Sequence, residues 1–574
     1  MSIISRGGNF APPPAVQSER AAELREWSRQ GYSIMLNRRQ LCDLELLSIG
    51  AFAPLHGFMG QADYERVLAE ERLADGSLWP IPVVLAVSET SAAQIDCGDY
   101  VALRDSEGFM PAVLRVADLW KPDREWEAEA VYGTGSRDHP GVRLVLDETA
   151  LVYVGGTIEV LELPVHYDFE SLWHTPARLR QGFDQAGWDS VIAFQTSRPM
   201  HRLQRDLVVE MAAAQDAKIL LHPVVGESKP GDLEYYARVH CYQALLRHLP
   251  AQLAVLSLLP LAMRMAGPRE ALWHGIIHRN YGCSAFIVGP DDSSPPSTDN
   301  GTRFYGKYAA QEHVAAVSDE LDIQMLAVEE RRYCVSSKTF LPVSALEQNG
   351  DRSVNYSDHE LRQALAKGEP VPDWFSFPEV IDCLSGVYPS HSQVGITLFF
   401  TGLSGSGKST LAGIMRAKLI ENGQRPVTLL DGDIVRQNLS SELGFSRVHR
   451  DLNIRRIGFV ANEISKNGGV AICAPIAPYR TIRREIRGLI EQHGVFIEIY
   501  LSTPLAVCEE RDPKGLYAKA RAGEILQFTG ISDPYESPER PELVIDTSKA
   551  TPTQACRQIL DHLTGRGLVD VRRE

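Results

Sequence analysis

The chain has 574 residues, which is too many for a single hydrophobic core, so several domains are expected. Hydrophobic residues make up 44% of the sequence and charged residues 23%, which is typical of a protein that folds throughout. The formal net charge of -16 argues against broad binding to nucleic acid or to an anionic membrane, because both need a basic surface.

Cysteine usage and hydropathy bound the cellular setting. Nine cysteines are scattered without a C-x-x-C pair, which predicts neither a disulfide framework nor a zinc site and favours a reducing, cytoplasmic location. The N-terminal sequence lacks the pattern of a signal peptide, and no run of about 18 apolar residues could span a bilayer. We therefore expect no membrane partner.

Residues 1–164 contain short apolar runs separated by glycine and proline. Examples are WPIPVVLAV at 79–87, YVALRD at 100–105 and LVYVGGTIEVLEL at 151–163. Such runs predict a β-rich domain.

In residues 165–330 strand-like and helix-like segments alternate. The strand-like runs VIAFQT, KILLHPVV, AVLSLLPLAM and SAFIVG are separated by amphipathic segments such as LQRDLVVEMAAAQ. This alternation predicts a parallel α/β sheet, in which ligands bind at the carboxyl ends of the strands. The polar residues 331–390 then predict a small subdomain and a linker.

Residues 391–574 predict a second α/β domain with a parallel sheet. Five apolar runs, ITLFF, PVTLLDGD, GGVAICAP, VFIEIYLS and ELVID, are separated by helical or lid-like sequence. The fold class is therefore predicted to be multidomain α/β.

A glycine-rich sequence, TGLSGSGKST, directly follows the run ITLFF and has the spacing G-x-x-x-x-G-K-[ST]. Its backbone N–H groups can wrap a phosphate, Lys408 can reach the β- and γ-phosphates, and Ser409 can ligate Mg²⁺. The alternative is a turn that binds nothing, but the strand-to-helix context favours an ATP site. Its predicted ATP-binding residues are Gly402, Leu403, Ser404, Gly405, Ser406, Gly407, Lys408, Ser409 and Thr410.

The next strand ends in two carboxylates, Asp431 and Asp433, followed by Arg436. One carboxylate could orient Mg²⁺ through water while the other accepts a proton from an attacking hydroxyl, as phosphoryl transfer requires. The alternative is an Asx turn that closes the strand.

Two later segments, HRDLNIRRIGFVANEI and DPKGLYAKARAGEILQFTGI, concentrate positive charge within an acidic chain. A basic helical run is usually a solvated face, but these segments would form the acceptor site and lid of a P-loop kinase, which favours recognition of an anionic acceptor. Their candidate residues are Arg450, Asn453, Arg455, Arg456, Lys514, Lys519, Arg521 and Phe528.

These motifs, together with APYR, KARAGE and YE-x-PE-x-PEL, resemble adenylylsulfate (APS) kinase across 396–550. The resemblance implies transfer of the γ-phosphoryl group of Mg²⁺-bound ATP to the 3′-hydroxyl of APS, which gives 3′-phosphoadenylylsulfate (PAPS). It also implies roles for individual residues: Asp433, Asp431 and Lys408 in catalysis, Arg436, Arg450, Asn453 and Lys519 in APS binding, and Phe528 in stacking on adenine. One departure is Ala477, where some members carry a phosphorylated serine, so no covalent phosphoserine step is expected.

The first 390 residues resemble ATP sulfurylase, through DLELLSIGAFAPLHGFM, HPVVGESKPGD, LPLAMRMAGPREALWHGIIHRNYGCSAFIVG and DWFSFPEV. The resemblance implies a PUA-like N-terminal domain, an α/β catalytic domain and a small subdomain. The implied reaction joins sulfate to the AMP part of ATP and releases pyrophosphate. Small molecules are the expected partners, and the chain is expected to form a homo-oligomer.

The first sulfurylase signature, Gln-x-Arg-Asn-Pro-x-His-x-x-His in the family, reads QTSRPMHRLQ at 195–204. The arginine is displaced to Arg198, and Gln204 replaces the second histidine; glutamine keeps a donor but can carry no charge. The candidate site residues that remain are Gln195, Arg198, His201 and Arg264, and His274 remains as well.

The second signature, Gly-Arg-Asp-His-Ala-Gly, reads GPDDSS at 289–294. Pro290 can donate from neither side chain nor backbone. Asp292 puts a carboxylate where an imidazole would meet nucleotide, at a cost of about 3 kcal/mol for like charges about 5 Å apart at an effective dielectric near 20. Cys334 lacks the partner cysteine of zinc-binding relatives, so no zinc site is expected.

Two hypotheses for the whole chain follow. One is a bifunctional enzyme that makes APS and then phosphorylates it. The other is a single-activity APS kinase whose N-terminal part is a scaffold or regulatory domain. A kinase for another nucleotide acceptor is a third reading.

Overall fold

The computed structural model describes residues 16–227, 233, 235–296, 303–388, 394–422, 425–512 and 515–569, without the side chains of Asn422 and Asp433. The chain forms two compact units. The first consists of Met1–Ser357 and Val371–Val387, and the second of Asp358–Pro370 and Tyr388–Glu574.

The N-terminal part of the first unit is a mixed sheet. Its strands are β1 (Ser33–Met35), β2 (Gly57–Phe58), β3 (Leu85–Val87), β4 (Tyr100–Arg104), β5 (Ala112–Trp120) and β6 (Val152–Val160). They are ordered β1-β4-β5-β6-β2, and β3 also pairs with β6. Each of the three predicted β runs supplies a strand, so the β-rich prediction is confirmed.

The helices of this part were not predicted from its apolar runs. They are α1 (Ser18–Trp27), α2 (Arg38–Ser48), α3 (Gln61–Glu70), α4 (Glu89–Ala92), α5 (Arg124–Tyr132) and α6 (Pro140–Arg143), with a π-helical turn at Leu144–Glu148.

A parallel sheet follows in the same unit. Its strands are β7 (Val191–Phe194), β8 (Lys218–Leu221), β9 (Ala254–Leu256), β10 (Ala285–Val288) and β11 (Gln324–Ala327), and its helices are α7 (Pro176–Gln185), α8 (Arg202–Ala214), α9 (Tyr235–Leu246), α10 (Pro268–Asn280) and α11 (Ala309–Ala316). Single 3-10 turns lie at Glu170–Leu172 and Ser318–Glu320. The strands are ordered β11-β10-β7-β8-β9, so the chain adds β8 and β9 on one side of β7 and then β10 and β11 on the other. A ligand-binding crevice is expected at the carboxyl ends of β7 and β10, where the order switches sides.

The mixed sheet and the parallel sheet share one apolar core. Phe52 lies 4.9 Å from Trp273 between ring centroids and 5.8 Å from Trp79. Trp79 and Trp273 are fully buried. Aromatic packing of this kind makes the two sheets one stable body.

A small antiparallel sheet completes the first unit. It is ordered β13-β12-β14, from β12 (Arg331–Cys334), β13 (Thr339–Pro342) and β14 (Ser353–Val354). Helices α12 (Val343–Asn349) and α14 (Pro378–Ser385) belong to this unit, whereas α13 (Asp358–Lys367) groups with the second.

The second unit contains the predicted parallel sheet, ordered β16-β17-β15-β18-β19. Its strands are β15 (Ile396–Thr401), β16 (Val427–Asp431), β17 (Val470–Ala474), β18 (Val495–Leu501) and β19 (Leu543–Ile545). Its further helices are α15 (Lys408–Asn422), α16 (Gly432–Asn438), α17 (Arg447–Lys466), α18 (Arg480–Ile490), α19 (Leu505–Arg511), α20 (Leu516–Arg521) and α21 (Pro552–Gly565). All five apolar runs form strands, which confirms the prediction.

In the ranges that the structure describes, no helix combines the length and the apolar character needed to cross a membrane.

Candidate active site

The glycine-rich loop connects β15 to α15, in the strand-to-helix context that the sequence predicts. Gly402, Gly405 and Gly407 have positive φ angles of 150°, 75° and 95°. A Cβ atom at Gly402 would lie 2.8 Å from the carbonyl oxygen of Leu501, and one at Gly405 would lie 2.9 Å from that of Cys508. Both the backbone angles and the close approach therefore require glycine.

Lys408 is the first residue of α15, and its side chain is only 8% exposed. Its Nζ donates to the carbonyl oxygens of Gly402 at 2.9 Å and Leu403 at 2.7 Å. The ammonium group is thus held across the loop, where a phosphate bound to the backbone N–H groups would meet it.

Two hydroxyl groups of the loop differ in exposure. The Ser406 Oγ atom is fully buried and has no hydrogen-bond partner among the described residues. Ser409 and Thr410 are exposed at the start of α15. A loop with an unsatisfied inner hydroxyl and an exposed outer one fits a Mg²⁺-nucleotide, for which Ser409 is the predicted ligand.

Side chains from distant segments hold the loop in shape. The hydroxyl of Thr547 donates to the carbonyl oxygen of Ser406 at 3.0 Å, and Arg511 donates to that hydroxyl at 2.8 Å. The Tyr517 hydroxyl donates to the carbonyl oxygen of Ser404 at 2.9 Å. The sequence motif does not identify these supports, because all three follow the loop by about a hundred residues or more.

The predicted carboxylates follow β16. Asp431 is the last residue of that strand, pairs with Ala474 of β17 and has a half-buried side chain. Because β17 lies between β16 and β15, Asp431 and the start of the P-loop share one edge of the sheet about 10 Å apart. Asp433 is the second residue of α16, after Gly432, but its side chain lies outside the described residues, so its catalytic role stays a prediction.

Three of the predicted acceptor residues lie on α16 and α17. Arg450 and Asn453 are three residues apart on α17 and therefore share a face. Asn453 is 5% exposed, and its Oδ1 atom has no partner among the described residues, as expected for an amide that awaits a ligand. Arg436 donates to the carbonyl oxygen of Leu443 at 3.0 Å and lies 4.3 Å from the centre of the Phe445 ring.

Arg450 contacts the segment that carries Phe528. Its Nη1 atom donates to Thr529 Oγ1 at 2.8 Å and to Asp533 Oδ2 at 2.6 Å, and its Nη2 atom donates to the carbonyl oxygen of Gln527. The structure therefore brings Arg450 next to the residues that flank Phe528, another predicted acceptor residue.

Phe528 and Lys519 differ in environment. The Phe528 ring is 9% exposed and packs edge-to-face on Tyr517, with 5.0 Å between ring centroids. Lys519 lies on α20 and is exposed. Stacking of Phe528 on adenine and binding of APS by Lys519 stay predictions.

The two arginines that follow Asn453 form surface ion pairs. Arg455 pairs with Glu485 at 2.7 Å and Arg456 with Glu442 at 2.7 Å. Two arginines of the predicted basic cluster thus contact carboxylates of the protein itself. Lys514 lies outside the described residues.

In the first unit, Gln195 follows β7 and meets α10. Its side-chain amide nitrogen lies 3.0 Å from Nε2 of His274, which in turn lies 3.7 Å from Glu270 Oε1. Burial opposes the ionisation of Glu270, but its pairing with His274 and its hydrogen bonds from the backbone N–H groups of Arg264 and Ala266 lower its pKa. The buried carboxylate of Glu270 thus lies next to His274 and can hold its ring in place.

His201 is buried, at the start of α8. Its Nδ1 atom lies 2.8 Å from the Ser376 hydroxyl, and its ring packs on Phe375. The side-chain oxygen of Gln204 accepts a hydrogen bond from the His201 N–H at 2.9 Å, so Gln204 caps the helix. Arg198, by contrast, is exposed.

Arg264 is 4% exposed and forms a buried ion pair. Its Nη2 atom donates to both carboxylate oxygens of Asp43, at 2.7 and 2.6 Å, and Nη1 donates to the carbonyl oxygen of Ala262 at 2.7 Å. The guanidinium group is held between two segments of the first unit. A role in binding sulfate or nucleotide stays a prediction for this residue.

The altered loop GPDDSS follows β10, beside Gln195. Asp291 and Ser293 adopt positive φ angles of 54° and 52°. The Asp292 carboxylate accepts hydrogen bonds from the Ser293 hydroxyl at 2.8 Å and the Gly289 N–H at 3.3 Å, yet burial raises its pKa. The Ser293 hydroxyl also lies 3.4 Å from His274 Nδ1, so the altered loop does reach the predicted crevice.

No group of three or more histidine, cysteine, aspartate or glutamate side chains that could hold a metal ion occurs in the part of the chain that the structure describes.

Family models match three successive parts of the chain. The model of a PUA-like domain matches residues 6–163, that of ATP-sulfurylase matches 170–386, and that of adenylylsulphate kinase matches 394–546.

Curated relatives match along almost the whole length. Proteins named sulfate adenylyltransferase from Phaeosphaeria nodorum and Neurospora crassa are 45% and 44% identical to it, over 99% of this chain and 100% of each relative. A solved structure titled hexameric APS kinase from Thiobacillus denitrificans is 37% identical, with a TM-score of 0.78 over 97% of this chain and 98% of that one.

Proposed function

The chain belongs to the sulfate adenylyltransferase family and joins an ATP-sulfurylase region to an adenylylsulphate-kinase region, and from that premise we propose that its second unit phosphorylates APS. In this proposal the γ-phosphoryl group of ATP passes to the 3′-hydroxyl of APS, giving PAPS and ADP. The proposed division is a PUA-like part at 1–164, a sulfurylase part at 165–330, a small subdomain with linker at 331–390, and a kinase part at 391–574.

The glycine-rich loop carries this proposal. Its glycines adopt backbone angles that other residues rarely adopt, and Lys408 is held across the cradle they form. The loop faces the same sheet edge as Asp431. Phosphoryl transfer needs mainly positioning and neutralisation of charge, and these groups supply both.

The proposal gives separate groups of this site to the phosphates, the acceptor, the transferred proton and Mg²⁺. The loop N–H groups and Lys408 Nζ would bind the β- and γ-phosphates, while Arg436, Arg450, Asn453 and Lys519 would bind the anionic acceptor. Asp433, with Asp431 beside it, would accept the proton of the 3′-hydroxyl. Ser409 would hold Mg²⁺, which when bound with ATP would neutralise phosphate charge.

The experiment offers the full-length protein γ-labelled ATP, Mg²⁺ and a set of acceptors that contains APS, AMP and a sugar. The proposal predicts label in the 3′-phosphate of PAPS and little transfer to the other acceptors. Efficient transfer to another acceptor with none to APS would contradict it.

A second activity, synthesis of APS from ATP and sulfate, is favoured by the relatives named sulfate adenylyltransferase, which match over 99% of this chain. Gln195, His201 and His274 could contact nucleotide in that reaction. The altered loop with Pro290 and Asp292 favours the alternative, a first unit that serves as a scaffold or regulator. ATP formation from APS and pyrophosphate by the Lys408→Ala variant, whose kinase site is disabled, distinguishes the two.

The proposal extends to assembly and location. A homo-oligomer is proposed, and the relative titled hexameric supports it. A cytoplasmic location is proposed from the scattered cysteines. Light scattering of the purified protein tests the oligomeric state, and a single-chain mass would contradict it.

A further inference from the structure

Residues 527–533, here named the acceptor turn, contain the carboxylate of Asp533, which is bound by two other segments. Its Oδ2 atom accepts a hydrogen bond from Arg450 Nη1 at 2.6 Å and another from the Tyr479 hydroxyl at 2.6 Å. Arg450 also binds the turn through Thr529 and the carbonyl oxygen of Gln527. Two elements, α17 and the residue before α18, therefore meet the turn at one side chain.

The acceptor turn is tightly built around Phe528. The carbonyl oxygen of Phe528 accepts hydrogen bonds from the N–H groups of Ile531, Ser532 and Asp533, at 3.0 to 3.1 Å. The Ser532 hydroxyl accepts a hydrogen bond from the Phe528 N–H at 2.8 Å. A change in the position of Asp533 is therefore passed directly to the Phe528 backbone.

The turn is also tied to the ATP loop. Phe528 packs on Tyr517, whose hydroxyl donates to the Ser404 carbonyl oxygen, and the Gly530 backbone lies against Leu403. A short chain of contacts thus leads from Asp533 through Phe528 and Tyr517 to the loop that would bind phosphate.

The partners of Asp533 are suited to hold it. The Tyr479 side chain is buried, and burial together with the hydrogen bond to Asp533 raises its pKa to about 12, so the hydroxyl keeps its proton and remains a donor near neutral pH. Hydrogen bonds from a guanidinium and a phenol to a carboxylate are short and directional. The side chains of Arg450 and Asp533 are 12% and 21% exposed, so water competes only in part.

We propose that Asp533 is a positioning residue of the acceptor site: its carboxylate, shared by Arg450 and Tyr479, sets the place of the acceptor turn and of Phe528. This inference rests on the proposed function, because the acceptor that it concerns is APS. It assigns a role to two side chains to which the sequence analysis gives none: Asp533, and Tyr479, which is the tyrosine of the APYR motif.

The test compares Asp533→Asn and Tyr479→Phe with the wild-type full-length protein. Asparagine keeps the shape of the side chain but loses the charge, so we expect KM for APS to rise about tenfold, because a charge-assisted hydrogen bond is lost. Tyr479→Phe should raise it less, and Asp533→Glu should lie closer to wild type than Asp533→Asn. KM for ATP should rise by no more than about twofold in all three, because Asp533 reaches the glycine-rich loop only indirectly, through Phe528 and Tyr517.

A matched control is Glu485→Gln. Glu485 lies on α18, and its carboxylate pairs with Arg455, which lies on α17 as Arg450 does. This substitution should leave both KM values unchanged. Calorimetric binding of APS to each variant measures the same loss without turnover, and thermal unfolding checks that each variant is folded.

The outcomes separate this inference from the proposed function. Wild-type protein that forms no PAPS would overturn both. Wild-type turnover together with an unchanged KM for APS in folded Asp533→Asn would overturn this inference alone. A parallel rise in both KM values would show a general structural role and would overturn it too.

Discussion

The two candidate sites use the same architectural position, the carboxyl ends of parallel strands, yet they differ in what forms them. After β15 the predicted phosphate cradle is built from backbone, and its glycines and Lys408 keep every position of the motif. After β7 and β10 the site depends on side chains, and several of these are engaged with protein groups: His201 with Ser376, and Arg264 with Asp43. A backbone cradle is preserved as long as the fold is, whereas a site of side chains can be lost through a few substitutions.

The largest effect is expected at the cradle. Lys408→Ala removes the charge that would meet the β- and γ-phosphates, so PAPS formation should fall on the order of a thousandfold. A steady-state assay with labelled ATP measures it. Lys418→Ala, on the same helix and paired at the surface with Glu421, is the matched control and should keep near-normal turnover. Similar rates for both variants would contradict the assignment.

Asp43→Ala tests whether Arg264 belongs to the core. Removal of one partner leaves a buried, uncompensated charge and should lower the free energy of unfolding of the first unit by about 3–5 kcal/mol. All eight tryptophans lie in that unit, so tryptophan fluorescence in a denaturant titration follows it selectively. The double variant Asp43→Leu/Arg264→Met should be less damaging than the single one. A single variant of wild-type stability would show that the pair contributes little.

The altered loop can be restored toward its family pattern. Pro290→Arg with Asp292→His replaces a like-charge repulsion of about 3 kcal/mol, which corresponds to a gain of about 100-fold in ATP formation from APS and pyrophosphate. The neighbouring Asp291→Asn, at an exposed position paired with Arg303, should change the rate little. No gain in the double variant would show that this loop does not limit the reaction.

Acid should weaken the first unit selectively, because two of its histidines are buried in neutral form. Burial lowers the pKa of His222 to about 3 and that of His278 well below its usual range. The unfolded chain binds these protons near pH 6.5, so between that pH and about pH 3 it holds more protons and stability falls with falling pH.

Each such histidine contributes a slope of up to about 1.4 kcal/mol per pH unit. Tryptophan-detected unfolding between pH 6 and pH 4 should therefore show a smaller slope in His222→Asn than in wild type. His56→Gln, at an exposed position of the first unit, should leave the slope as it is. Equal slopes in all three proteins would refute the explanation.

The smallest effect is expected at Arg455. Its pair with Glu485 is exposed, and such pairs contribute about 0–1 kcal/mol. Arg455→Ala should therefore change KM for APS less than twofold in the PAPS assay. A large rise in KM for APS would show that Arg455 takes part in binding the acceptor.

Much of the fold could be predicted because buried parallel strands appear as continuous apolar runs. The five strands of the second unit and β7 to β10 of the first were found in this way. Strand β11 was missed because its residues are mostly exposed or half-buried, and β12 to β14 because their sequence is polar and the strands are short.

The candidate sites were predictable only where a motif is local. The P-loop is read from ten successive residues, but the partners of Arg264 and Arg450 are 221 and 83 residues away. Nothing in the spacing of Asp43 or Asp533 indicates which arginine each will meet. Gln204, similarly, looks like a lost catalytic group, whereas its side chain caps α8.

The most direct test measures both reactions on one preparation of the full-length protein: PAPS from ATP and APS, and ATP from APS and pyrophosphate, in wild type and in Lys408→Ala. We predict that wild type forms PAPS faster than ATP, because the like-charge repulsion in the altered loop slows ATP formation by about 100-fold. Lys408→Ala should lower only PAPS formation, on the order of a thousandfold. Rapid ATP formation without PAPS, or PAPS formation that survives Lys408→Ala, would contradict the account.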